Sequence, residues 1–148
     1  MQHNEERFAR FSFAIDKVAK NLQKYKNEHL EKFGLRSMHL MYLVNLGHTP
    51  EGLTATELAQ SCSVDKAFIS RLTGDLCSAG YVEYKTKEGT KYNNKLILTE
   101  AGHKVMTEIK KIIDDSVQHI IGDIPENHLI IFYNVLNQIT AHLEAITA

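Results

Sequence analysis

Five of the six residues that follow Asp65 have the chemistry to read a nucleic acid. Lys66 can meet a phosphate, Ser70 can donate or accept, and Arg71 carries the forked guanidinium that fits a guanine edge. Ala67 and Phe68 share those turns, and the Phe68 ring either touches a thymine methyl or packs half-buried; both readings stay open. A second group, Lys85, Lys87, Lys91 and Lys95 against Glu88 alone, puts a local charge of +3 into residues 84–95. Basic clusters of this size are commonly solvated surface, so this one means nucleic acid only if its structural context does.

Other chemistries fail on spacing. Gly47 to Thr54 has the glycines and threonine of a phosphate-binding loop, but Leu53 stands where the phosphate-binding lysine is needed and no strand precedes it. It reads as a turn. The eight histidines are never closer than the nine residues from His39 to His48 or His119 to His128, which excludes an i,i+4 zinc pair on one helix. Cys62 and Cys77 form neither a CxxC site nor a disulfide framework, and reduced thiols are expected. There is no dinucleotide fingerprint or nucleophile elbow. The chain is expected not to be an enzyme and to carry no catalytic residue, metal or cofactor.

The 148 residues are 43% hydrophobic and 24% charged, enough for one sizeable core. The net charge of −1 is unevenly spread: residues 1–36 carry eight Lys/Arg against five Asp/Glu, and residues 105–148 carry two against six. Leu129–Tyr133 is an apolar run far short of the roughly 20 residues that a membrane span requires, and Met1–Arg7 lacks the apolar stretch of a secretory signal. A cytoplasmic location without membrane association is the expectation.

The elements that must position these residues follow from periodicity. Phe8, Phe11, Ile15, Val18, Leu22 and Tyr25 form a seam at steps of three and four along an N-terminal helix. Phe132, Leu136, Ile139, Leu143 and Ile146 repeat it after Pro125. Such seams suit an intersubunit bundle, and a homodimer is expected. Between them, Leu35 to about Leu46 reads as a buried helix. Thr54-Ala55-Thr56-Glu57 is a capping box opening a helix to about Ser61. Asp65 caps another, with Ile69, Leu72 and Leu76 inside and Gly80 at its end. Two short helices so joined make a helix-turn-helix, whose second helix enters the DNA major groove. Tyr81–Tyr84 and Lys95–Leu98 then read as a hairpin with ten polar residues between them. Thr99 caps a long helix whose residues Val105, Ile109, Ile112, Ile113, Val117, Ile120 and Ile121 predict a broad buried face ending at Gly122. The fold class is mainly α with a small β-hairpin wing.

From Leu53-Thr54-Ala55-Thr56-Glu57-Leu58-Ala59, through Val64 to Leu72, Gly80-Tyr81-Val82 and Leu98 to Gly102, the chain resembles the MarR family of winged-helix bacterial transcription regulators. The resemblance implies one domain over 1–148, with 1–33 and 105–148 as dimerisation helices and 35–104 as the winged helix-turn-helix. It implies a recognition helix at about 65–78, a wing at about 84–95, and a homodimer acting as a ligand-responsive repressor on double-stranded DNA with a pseudo-palindromic operator. Thr54, Asp65, Lys66, Ala67, Phe68, Ser70 and Arg71 are then placed at the DNA, together with Lys85, Lys87, Lys91 and Lys95 of the wing. Many members carry an Asp-x-Arg pair in the wing; the matching positions here are near Thr90 and Tyr92, and Lys91 and Lys95 are expected to take over the contact. The first 36 residues lack the cysteine of oxidant-sensing members. Cys62 reads as an inert thiol, and His39, His103 and His119 do not reproduce the zinc-sensing pattern, His39 lacking obvious partners. A small apolar or aromatic effector remains. The alternative class is a helical dimer that uses the winged helix to bind protein.

Overall fold

The computed structural model describes residues 2–148, apart from the side chains of Gln2, Lys91 and Tyr92. The described residues form α1 (Gln2–Leu30), α2 (Ser37–Gly47), α3 (Ala55–Cys62), α4 (Lys66–Ser78), β1 (Val82–Lys87), β2 (Thr90–Leu98), α5 (Glu100–Ile121) and α6 (Glu126–Thr147), with a 3-10 turn at Glu31–Phe33. The expected class, mainly helical with an antiparallel two-stranded wing, is the one observed. Two compact units, 1–110 and 111–148, divide the chain within α5.

In the first unit Leu43, Leu46, Leu58, Ile69, Leu72, Leu76, Leu96 and Ile109 make a core of aliphatic side chains from α2 to α5. Each fully buried side chain of this kind contributes about 1.5–3 kcal/mol. The helix ends are set by local chemistry. At the end of α4, Gly80 takes φ +83°, the Tyr81 N–H donates to the Leu76 carbonyl and the Gly80 N–H to that of Cys77. Both bonds of a Schellman cap are therefore made, as glycine at this position predicts. Ser63 makes the same turn after α3 at φ 56°, so Ser63-Val64-Asp65 reverses the chain between the two helices. α2 starts two residues later than expected. The Leu35 N–H is taken by the Leu30 carbonyl, and the Ser37 N–H by Asn27 Oδ1 at 2.7 Å.

The hairpin is longer than its composition suggested. Val82 pairs with Leu98 and Tyr84 with Leu96, but pairing resumes at Thr86 with Lys91 and ends at Lys87 with Thr90. Only Glu88 and Gly89 form the tip, both at positive φ, as in a two-residue turn that matches strand twist. Asn93 and Asn94, also left-handed, absorb the residues of a bulge rather than a turn. The wing is closed onto α5 by Thr99. Its hydroxyl accepts the Gly102 N–H at 3.0 Å and donates to the Gly80 carbonyl, and its own N–H donates to the Tyr81 carbonyl at 3.0 Å.

The amphipathic seams are open in the single chain. In the first unit, Phe8 is 71% exposed, and Phe11, Ile15, Val18 and Leu22 of α1 are exposed too. In the second, no residue of α6 is buried; Phe132, Leu143 and Ile146 are exposed, Leu136 and Ile139 half-buried. The broad buried face expected of α5 is buried at Val105 and Ile109, whereas Val117 and Ile120 are exposed. Periodicity records that a stripe suits burial, not which chain covers it. Among the described residues no helix is long and apolar enough to cross a membrane.

Two glycines give opposite expectations. A Cβ on Gly102 would lie 2.1 Å from the Tyr81 carbonyl oxygen, while one on Gly74, inside α4, meets nothing within 4 Å. Gly102→Ala should destabilise by about 1–3 kcal/mol through overpacking, and Gly74→Ala should stabilise by about 0.5–1 kcal/mol through helix propensity. Urea midpoints at unchanged m-value check both.

Candidate nucleic-acid interface

Asp65 starts α4: its Oδ1 accepts the Phe68 N–H at 2.7 Å. That satisfies one of the helix's unpaired amides and fixes the direction in which the next two turns face. Ile69, Leu72, Thr73 and Leu76 point inward, leaving Lys66, Ala67, Ser70 and Arg71 on the exposed side. The residues predicted to read bases are thus gathered on one helix face. Phe68 is half-buried, and the Arg71 guanidinium lies over its ring at 5.1 Å. That is a cation–π geometry, which pre-positions the arginine. Thr54 caps α3, accepting the Glu57 N–H at 3.2 Å; its hydroxyl lies 3.1 Å from Glu57 Oε1. Glu57 therefore meets the cap's hydroxyl and not its backbone N–H, which departs from the capping box read from the sequence.

The wing residues divide. Lys87 is exposed, while Lys85 and Lys95 are half-buried. The Lys85 ammonium donates to the Glu51 carbonyl at 3.2 Å, pinning the wing to the turn before α3. The isolated bridge between Leu53 and Leu96 holds the same junction. The side chain of Lys91 lies outside the described residues.

What orients α4 is a pair of polar links to α2 that sequence reasoning missed. The Tyr42 hydroxyl lies 2.7 Å from Thr73 Oγ1 in the core, and burial pushes the Tyr42 phenol well above its ordinary pKa. His39, read as lacking partners, has its Nε2 3.1 Å from Asp75 Oδ2, and its Nδ1 accepts the Arg36 N–H at 2.9 Å. A faint signal existed: His39 and Tyr42 are polar-tipped residues at i,i+3 on a mostly apolar helix, and Thr73 falls at i+4 from Ile69. Beside these links, Met38, Phe68, Arg71, Leu72 and Asp75 line a recess of about 250 Å³. Cys62, half-buried, accepts a long hydrogen bond from Asn45 Nδ2 at 3.7 Å.

Residues 33–91 match the family model described as MarR family. No curated protein sequence matches the chain significantly. Among solved structures, the chain is similar to the MarR family transcription regulator SP03579, at 19% identity over 99% of this chain and 97% of that one, with a TM-score of 0.82. The S. aureus MepR–DNA complex shares 17% identity over 90% and 97%, TM-score 0.80. A MarR transcriptional regulator from Methanosarcina mazei Go1 shares 22% over 92% and 97%, TM-score 0.73.

Burial raises the Cys62 thiol above its ordinary range, its hydrogen bond to Asn45 opposing only in part. Fewer thiolates are present at a given pH, and the thiolate is the reactive form. Iodoacetamide should therefore modify Cys62 more slowly in the folded protein than in urea, the gap narrowing as the pH becomes alkaline. Peptide mass spectrometry separates Cys62 from Cys77.

Proposed function

We propose that the chain, whose residues 33–91 match the MarR family model and whose fold is similar to that of a MarR family regulator, is a sequence-specific double-stranded DNA-binding transcription regulator acting as a homodimer. The observation that carries this reading is the exposed face of α4, where Lys66, Ala67, Ser70 and Arg71 stand together behind the Asp65 cap. Arg71 is assigned a base edge and Lys66 a phosphate. Phe68, half-buried under Arg71, is assigned to holding that arginine. Thr54 and Asp65 act by setting the starts of α3 and α4, and the wing lysines Lys85, Lys87, Lys91 and Lys95 supply charge beside the groove. The similarity to MepR, solved with DNA, supports the partner.

Dimerisation is supported by the exposed apolar residues of α1 and α6, which a second copy would cover. In the dimer, two α4 helices would enter successive major grooves about 34 Å apart and read an inverted repeat. The regulatory part of the reading, a repressor released by a small apolar or aromatic effector, is supported by the family resemblance alone. So is residence in the cytoplasm.

The test begins with a duplex selected from a random-sequence pool by the protein itself. Arg71→Ala should cost about 1–3 kcal/mol on that duplex and relax preference at one base pair, as loss of a base-edge contact requires. Lys66→Ala should weaken all duplexes alike and reduce the slope of log K against log salt by about 0.9. Sedimentation should give a dimer at micromolar concentration. A protein that enriches no duplex, or whose binding ignores salt, would support a protein-binding role for the winged helix instead.

A further inference from the structure

Asp75 follows Arg71 by four residues on α4, the spacing at which an acid and a base on one helix face pair. Both line the recess beside Met38, so the carboxylate is within the neighbourhood of the guanidinium that the proposed DNA contact depends on. Their side chains are nevertheless turned to different partners. Asp75 Oδ2 lies 3.1 Å from His39 Nε2, and Arg71 lies over the Phe68 ring. The His39 side is closely defined: the residue is 4% exposed, and its Nδ1 accepts the Arg36 backbone N–H at 2.9 Å. That nitrogen therefore bears no proton, and in the neutral ring the proton sits on Nε2, where it is donated to Asp75. The Asp75 side chain is 52% exposed, so it is free to swing toward Arg71 once its partner is removed.

We infer that His39 is a positioning residue for DNA recognition, which acts by holding the Asp75 carboxylate on α2 so that Arg71 meets DNA unpaired. This rests on the reading of α4 as the base-reading helix. A carboxylate and a guanine edge compete for the same fork of N–H donors, so an Arg71–Asp75 pair would have to break before the base could be read. It would also bring a negative charge toward the phosphates. His39 thus separates two opposite charges that the sequence of α4 would otherwise bring together.

The experiment uses the full chain and a duplex selected by the parent protein. His39→Leu keeps the site apolar and filled but removes the donor; affinity should fall about two- to fivefold, between the strength of an exposed i,i+4 pair and the low end of a lost bidentate base contact. Adding Asp75→Asn should restore affinity, because asparagine carries no charge to pair with Arg71. In an Arg71→Ala background, His39→Leu should change nothing further. A merely structural role for His39 gives neither the rescue nor the masking, and a loss that survives both changes would overturn the inference. Asp75→Asn alone, an exposed change that tests the inference even where His39→Leu does not fold, should move affinity by less than about twofold. A gain of about fivefold would overturn the inference, since it would place the carboxylate on Arg71 already. A parent that selects no duplex would overturn the DNA reading and this inference with it, an outcome distinct from a parent that binds while the His39 variants match it.

Discussion

Once α2 and α4 pack, the hydroxyl of Tyr42 has no route to water, and it must find its partner inside the protein. Thr73 is that partner, at 2.7 Å, and the bond fixes how far along and how far around α4 can sit against α2. Apolar contacts alone tolerate small slides and rotations, because dispersion and area burial carry little direction. A buried hydroxyl pair does not, since leaving either group without a partner costs about 1–3 kcal/mol. The His39–Asp75 bond lies on the same two helices, Asp75 two residues beyond Thr73. Two directional links on one side of α4 thus hold Lys66, Ser70 and Arg71 at a fixed angle on the other.

The wing depends on a second constraint, at the junction of Gly80, Tyr81 and Thr99. The Tyr81 carbonyl accepts from Thr99, its hydroxyl donates to the Phe33 carbonyl at 2.8 Å, and the first turn of α5 presses against it at Gly102. Backbone groups and the hydroxyls of Thr99 and Tyr81 make these bonds, so the end of α4, the start of β1 and the start of α5 are joined at one corner. The hairpin tip is held by the pairing of Thr86 with Lys91 and of Lys87 with Thr90. In the proposed DNA complex, a fixed base with charge at the tip would suit phosphates, which demand proximity more than a single geometry.

What was legible in the sequence is the set of interactions that close within a few residues. The Asp65 cap, the Gly80 stop and the Thr99 cap each join a side chain or amide to its immediate neighbours, so their spacing is written in the chain. Tyr42–Thr73 and His39–Asp75 span 31 and 36 residues and exist only after α2 and α4 have met, which no local pattern announces. The wing shows a subtler failure. Glu88-Gly89 and Asn93-Asn94 are both turn signals, and composition alone does not rank them; the pairing of Thr86 with Lys91 and of Lys87 with Thr90 does, by leaving the asparagines inside the strand, where their tolerance of positive φ serves a bulge. Of the site, the residue types of α4 were readable, and the machinery that aims them was not.

The energetics of recognition return to the apolar faces of α1 and α6. A net charge of −1 gives the protein no general attraction for a polyanion, so binding depends on where its cations stand. On the proposed reading, one α4 would offer one arginine to base edges, worth about 1–3 kcal/mol of discrimination, whereas specific sites are preferred over other DNA by about 4–10 kcal/mol. A single copy therefore falls short, and a two-fold pair that doubles every base contact reaches the lower part of that range. Because the first 36 residues are basic and the last 44 acidic, a second copy can also meet apolar stripe with apolar stripe and positive flank with negative. In the proposed dimer the exposed Phe8 and Phe132, which have no purpose in the isolated chain, are thus the origin of sequence specificity as much as Arg71 is.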